Sequence, residues 1–248
     1  MNAVYVLWIR QLKRYVRSRS RMVGALGQPL MFLIALGYGF GAIFRRAGAG
    51  NYIYFLVPGV IAQTILFTSV FTGSEVIWDR QFGFLKETLV APVSRFNIML
   101  GRTLGGATVA TMQGLIVLAL SYIVGYRVVN YLMLPIAVAF MFIIALMFTA
   151  LGTAIASRLT DFQAFQLIVN FLVMPLFFLS GALFPLSGLP RGLEIATKID
   201  PLSYGVDAIR GTLNNASHLG LGIDMLVIGA LTLAFLAGGS YLFAKIEI

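Results

Sequence analysis

The sequence contains no cysteine, a single histidine and few charges: 27 of its 248 residues are Asp, Glu, Lys or Arg, or 11%. A soluble domain carries about 25% charged residues. So few charges do not cover the surface of a 27.0 kDa globule in water, which excludes a soluble enzyme and a disordered chain. The lack of cysteine excludes a disulfide frame, a thiolate metal site and a cysteine nucleophile. A phosphate loop of the GxxxxGK[ST] type is also missing. Lys13, Lys86, Lys198 and Lys245 each follow a residue other than glycine, so the chain has no lysine loop with which to cradle ATP. HExxH and paired aspartates within an apolar run are missing too.

What is present is hydrocarbon. Hydrophobic residues make up 59% of the chain and the mean hydropathy is +0.91. The apolar stretches are continuous and not alternating, which predicts membrane helices and not a barrel. Uncharged runs cover Met22–Phe44, Ala47–Ser74, Thr103–Tyr126, Val128–Ser157, Phe162–Pro190 and Met225–Ala244. A spanning helix needs about 20 apolar residues, so each run holds one span. The expected fold is all-α: one multi-pass membrane domain over 1–248, with spans at 22–44, 52–74, 103–126, 132–157, 162–182 and 225–244.

Charge gives the orientation. Twelve Lys and Arg residues fall on the side of the N-terminus, the second loop, Arg158 and Lys245, and six fall on the other side. The positive-inside rule then predicts a cell-membrane protein, in the inner or cytoplasmic membrane, with both termini in the cytoplasm. The net charge of +9 is assigned to anionic lipid headgroups and not to nucleic acid. Within residues 1–21, Arg10, Lys13, Arg14, Arg17 and Arg21 form one stripe. Val4, Tyr5, Trp8, Leu12, Tyr15 and Val16 fall opposite. This predicts an amphipathic helix in the cytoplasmic interface.

Residues 79–95, DRQFGFLKETLVAPVSR, form the longest polar interruption on the cytoplasmic side. Phe82, Leu85 and Leu89 are spaced to share a helical face, and Pro92 ends the helix. Such a helix either lies on lipid or docks into a groove of a soluble partner. Ser157–Asp161 is a short second loop on this side, in which Thr160 or Asp161 is also placed to cap the fifth span.

The string WDRQFGFLKETLVAPVSR, followed by LGRTLGGATVA, resembles the cytoplasmic signature of the membrane subunits of type-2 ABC exporters. The later strings FFLSGALFPLSGLP and DPLSYGVDAIRG resemble the second signature of that family. The daunorubicin-resistance-like drug and lipid exporters are the members most similar in appearance. The resemblance implies that Arg80, Gln81, Phe82, Gly83, Phe84, Leu85, Lys86 and Glu87 form a coupling helix seated in a cleft of a separate ATPase, with Arg158 and Asp161 as a second contact. It implies two ATPase subunits holding ATP and Mg, no cofactor on this chain, and a second membrane subunit, expected to be an identical copy. The expected activity is export of a drug, lipid or lipid-linked glycan. The alternatives are an ion-coupled carrier or a non-transporting scaffold. The carrier reading suffers because the six runs are free of ionisable residues.

Residues 183–213 are expected on the outer side. Pro185, Gly188 and Pro190 break the run, and Asp200–Pro201 reads as an N-cap and first helical residue. Leu202, Val206, Ile209 and Leu213 then share one face of an amphipathic helix. The resemblance makes this segment an outer re-entrant hairpin before the last span. Among uncharged polar residues in the spans, Gln63, Thr64, Gln166 and Asn170 are the candidates for lining a substrate path. The four-residue spacings Gly37/Gly41 and Gly101/Gly105 permit either packing within the chain or a seam between two copies.

Overall fold

The computed structural model describes residues 3–46, 50–90, 92–186 and 190–246. Gly188 and the side chains of Arg21 and Arg45 lie outside the described residues. Most of the described residues are helical and none forms a strand, and six helical stretches are long and apolar enough to cross a membrane.

Helix α1 (Ala3–Arg17) leads through Ser18 into α2 (Arg19–Met31). Pro29 lies inside α2 and supplies no N–H. The next residues, Phe32–Leu36, form a π-helical turn before α3 (Gly37–Arg46), as expected where a helix absorbs a missing hydrogen bond. Together Met22–Gly41 make the first span. Helix α4 (Tyr52–Gly73) begins at Asn51, whose side chain accepts from the Ile53 N–H at 3.1 Å. It continues past Ser74 into α5 (Glu75–Gln81), giving a rod of 30 residues, Tyr52–Gln81. Then come α6 (Phe84–Val90), α7 (Arg95–Ser121), α8 (Leu134–Arg158), α9 (Phe162–Leu179), α10 (Arg191–Ile199), α11 (Pro201–Asn214) and α12 (Leu221–Ala244). Ser94, Asp161 and Asp200 cap α7, α9 and α11, accepting from Asn97, Ala164 and Leu202 at 3.2, 3.0 and 2.9 Å.

Helices α4, α7 and α8 form the centre. Every residue from Leu56 to Leu66 is buried. This degree of burial requires close backbone approach, which small residues allow. A Cβ on Gly73 would sit 2.3 Å from the carbonyl carbon of Gly152, and one on Gly152 would sit 2.4 Å from the Val70 oxygen. The first span, α9 and α12 are peripheral and keep apolar surface exposed.

Four expectations from the sequence need correction. First, residues 79–95 are not one helix. Asp79–Gln81 complete α5, and a turn at Phe82–Gly83 leads to α6. Gly83 has φ +81°, a conformation that glycine adopts without steric cost. Leu85 is therefore 2% exposed, whereas Phe82 is 67% exposed, and the two do not share a free face. Second, the membrane-length helices extend past the charge-free runs and carry Glu75, Asp79 and Arg80 in Tyr52–Gln81, Arg95 and Arg102 in α7, Arg158 at the end of α8 and Asp224 in α12. Runs counted between charges are charge-free by construction, but the helices run past those limits. Third, α11 is not amphipathic in its surroundings. Ser203, Asp207 and Arg210 are buried together with Leu202, Val206, Ile209 and Leu213. Fourth, α1 is not packed solely on lipid. It lies beside the first part of α7 and runs in the same direction. Val4 and Leu7 meet Gly101, Gln11 meets Gly105, and Trp8 bonds to Thr108. The Gly101/Gly105 pair is thus a seat for α1 within the chain. Gly37 faces Ile53 and Leu56, while Gly41 has no neighbour within 4 Å of an added Cβ.

Candidate functional site

The Gln81 end of the α4–α5 rod is held from two sides. On one side lies an ionic cluster. Glu75 and Asp79 are one helical turn apart and both are buried. Arg102 donates to Asp79 at 2.5 Å, Arg14 reaches Glu75 at 3.3 Å, and Arg10 approaches Asp79 at 3.7 Å. Gln11 donates to Glu75 at 2.5 Å. Trp8 donates from Nε1 to Thr108 at 3.0 Å, and Tyr15 donates to Gln113. The basic face of α1 therefore clamps α5 through Arg10 and Arg14, while Lys13 and Arg17 remain exposed. The Arg102–Asp79 pair is the buried element of the cluster, with side chains 11% and 7% exposed. Truncating one member of a buried pair leaves an uncompensated charge and costs about 3–5 kcal/mol. Asp79→Ala is expected to lower the yield of monodisperse protein in detergent sharply. Arg10→Ala, whose side chain is 45% exposed, should not, and equal yields from the two variants would count against the clamp.

On the other side the rod grips the loop between α8 and α9. Arg80 donates from Nη1 to the Leu159 carbonyl at 2.9 Å and from Nη2 to the Ser157 carbonyl at 3.1 Å. These carbonyls end α8, where helical acceptors lack partners and a cation is favoured. Gln81 donates to the Thr160 carbonyl at 3.2 Å. Trp78 stacks on Phe82 with centroids 5.9 Å apart and planes 10° apart, and it lies 5.3 Å from Phe162. Arg80 and Gln81 thus brace the structure internally. Phe82, Phe84, Lys86 and Glu87 project outward, Gly83 is half-buried, and Leu85 points into the core. Asp161 serves as the cap of α9 and Arg158 is exposed. The two segments singled out as separate cytoplasmic features are one connected unit. Sequence reading missed Trp78, Phe162 and the ionic cluster. A trace of the cluster was legible: Glu75/Asp79 and Arg10/Arg14 are each spaced to share a helical face.

Above the clamp is a cavity of ≈ 690 Å³ between α1, α2, α4 and α7. Gln63, Thr64, Thr68 and Gln113 supply its polar wall, Phe67, Phe71, Trp78 and Phe162 its aromatic wall, and Arg14 and Glu75 its charged end. Gln63 is 2% exposed and its Oε1 has no hydrogen-bond partner among the described residues. Gln166 and Asn170 do not line this cavity. Both lie on α9, where Asn170 is exposed beside Leu167 and Phe171, which are 71% and 87% exposed.

At the opposite end, Arg210 holds α11 in place. It donates to the Gly181 carbonyl at 3.0 Å and to the Phe55 carbonyl at 3.3 Å, and lies 4.1 Å over the Phe55 ring. Burial lowers its pKa to about 10, opposed by Asp207, so it stays charged at neutral pH. Burial also raises Asp200 to about 7, against the Leu202 N–H and the Ser203 hydroxyl.

The sequence model of the ABC-2 type transporter family matches residues 2–214, from α1 through α11. The chain belongs to the ABC-2 type transporter family. It is similar to the protein named transport permease ycf38 of Cyanophora paradoxa, 28% identical over 226 residues, covering 88% of this chain and 77% of the relative. The same-named protein of Pyropia yezoensis is 30% identical over 220 residues, 85% and 73% of the two chains. Nodulation protein J of Rhizobium meliloti (strain 1021) is 28% identical over 222 residues, 88% and 84%. The chain is the permease subunit of an ABC-2 transporter, a multi-pass membrane protein. The family implies partnership with an ABC ATPase.

Proposed function

We propose that this permease is driven by ATP hydrolysis on a separate ABC ATPase, and that the turn from Arg80 to Glu87 is where the ATPase pushes. The observation carrying this reading is the braced aromatic tip. Phe82 and Phe84 project from a turn whose base, Arg80 and Gln81, is fastened to the α8–α9 loop. Force on the tip therefore reaches α4, α8 and α9 together, which a loose lipid-lying helix would not transmit. Arg158 and Asp161, in the gripped loop, form the second contact.

Two permease copies and two ATPases make up the proposed complex, with ATP and Mg bound by the ATPases. Both termini lie in the cytoplasm and the direction of transport is outward. The substrate is an amphipathic drug, lipid or lipid-linked glycan, met first by Gln63 and Thr64 in the aromatic-walled cavity. Asn170, exposed on α9, and the half-buried Gln166 one turn before it line the part of the path that faces the second copy. The test is reconstitution in proteoliposomes with the cognate ATPase, using fluorescent probes of the three substrate classes. The permease alone is expected to hydrolyse no ATP. The complex should export one class only while the lysine of the ATPase's phosphate loop is intact. Export that persists after that lysine is replaced would overturn the reading in favour of an ion-coupled carrier.

A further inference from the structure

The elbow between α1 and α2 gathers cations that the transport reading leaves without a role. Helix α1 lays Val4, Leu7, Trp8 and Gln11 against α7, so the side it turns outward is a different one. That side carries Tyr5, Val6 and Val16 next to Arg10, Lys13 and Arg17, all exposed. It borders a recess of about 1180 Å³ where α1 ends, Ser18 interrupts the helix and α2 begins. Lys13, Arg14 and Arg17 enter the recess from α1, and Arg19 enters from α2. Arg10 and Arg14 also reach the carboxylates of Asp79 and Glu75. The side chains of Lys13, Arg17 and Arg19 have no ion pair among the described residues. The Ser18 side chain makes no hydrogen bond to the start of α2.

The make-up of the recess selects its ligand. Like charges three or four residues apart repel one another, and the recess has no carboxylate of its own. An anion is the missing counter-charge. The walls are only partly polar, because Tyr5, Val6 and Ile9 line them as well, and neither a soluble phosphate nor a nucleic acid backbone uses such a wall. The recess also lies directly before the first span, Met22–Gly41. From Ser20, one face of α2 continues into that span as Val23, Gly24, Gly27 and Met31, three or four residues apart. Val23 and Met31 are exposed, and a Cβ added to either glycine meets nothing within 4 Å. An apolar trough therefore leads from the basic recess along the membrane helix. A phosphate at one end and hydrocarbon at the other is the chemistry of a phospholipid.

We infer that the elbow is a discrete binding site for an anionic phospholipid. Its phosphate is held by Lys13, Arg17 and Arg19, and an acyl chain runs along the Val23–Met31 face of α2. This is more than the diffuse attraction of a basic stripe to a charged surface, since the cations converge from two helices. Guanidinium N–H groups match phosphate oxygens in pairs, and the Ser18 hydroxyl adds a donor at the break. Arg10 and Arg14 stand between the phosphate on the recess side and Asp79 and Glu75 on the other. The lipid therefore completes the counter-charge of the same cations that clamp α5. The site does not depend on which molecule is transported.

The test uses the full chain in a neutral detergent. Thermal unfolding is followed during titration with dioctanoyl phosphatidylglycerol, dioctanoyl phosphatidylcholine or inorganic phosphate, because a ligand that binds the folded state raises the midpoint. Wild type should bind phosphatidylglycerol about a hundredfold more tightly than phosphatidylcholine, roughly fivefold for each of the three cations. Added salt should weaken that preference. Lys13→Gln, Arg17→Gln and Arg19→Gln combined remove no ion pair, and should bring the two affinities together. Arg191→Gln, at an exposed cation outside the recess, should keep the preference of wild type. Equal affinity of wild type for the two lipids overturns the inference, and this arm needs no variant. So does a preference that survives the triple substitution or is lost in Arg191→Gln. Inorganic phosphate acting at the same concentrations as phosphatidylglycerol would assign the recess to a soluble anion and also overturn it.

Discussion

Replacing Phe82 and Phe84 together by alanine is expected to leave the permease folded in the membrane and to abolish its stable association with the ATPase. The two rings are 67% and 51% exposed, so their loss opens no core cavity. Aromatic anchors in a partner's groove commonly contribute about 2 kcal/mol or more each, or roughly a thirtyfold loss of affinity per ring. Co-purification with the ATPase and ATP-driven export should both fall to background, while the size-exclusion profile stays that of wild type. Lys86→Ala should do much less, because an exposed rim charge contributes little binding energy. Leu85→Ala should behave in the opposite way. Leu85 is packed in the core at 2% exposure, and truncating a buried leucine costs about 2–5 kcal/mol of stability. It should reduce folded yield and not binding by the protein that remains. Unchanged co-purification in the Phe82/Phe84 double variant would defeat the docking assignment and favour a tip that lies on lipid.

The second large effect is expected where α4 crosses α8. Gly73 and Gly152 approach so closely that a single added methyl, at 2.3–2.4 Å from backbone atoms, has no space. Backbone does not move aside as a side-chain terminus does. The helices must therefore separate, and the buried surface of Val70, Thr149 and Thr153 with them. Overpacking typically costs about 1–3 kcal/mol where side chains are free to adjust, and a backbone collision exceeds that range. Gly73→Ala and Gly152→Ala should each remove the monodisperse peak of a fluorescent fusion in detergent. Gly222→Ala and Gly238→Ala, with nothing within 4 Å of the added carbon, should run as wild type or slightly better, as helix propensity favours alanine. A wild-type profile for Gly73→Ala would contradict this crossing.

Much of the architecture is legible without coordinates. Hydrocarbon length identifies six spanning helices because a bilayer imposes one minimum length on all of them. Asp161 and Asp200 announce the starts of α9 and α11, since a carboxylate before a helix serves N–H groups that nothing else would. The lack of a GxxxxGK[ST] string is likewise read directly from the residues. The ordered signature strings carry the family resemblance.

Periodicity tells which residues share a face but not what covers that face. In a membrane protein this gap is wide, because lipid and protein neighbours are equally apolar. Val4 and Trp8 were legible as one side of α1, yet only the folded chain shows that side lying along α7, seated at Gly101 and Gly105. Leu85 satisfies the spacing of an exposed docking face, and the turn at Gly83 rotates it inward. Charge marked the ends of the apolar runs, whereas helix length depends on whether each charge finds a partner. Asp79 continues the rod because Arg102, 23 residues away, donates to it. The sequence alone determined six stretches long and apolar enough to cross a membrane, with no GxxxxGK[ST] string among them. The tertiary structure decided which charges are buried, and so which side chains remain free to meet a partner, because that pairing joins residues far apart in the chain.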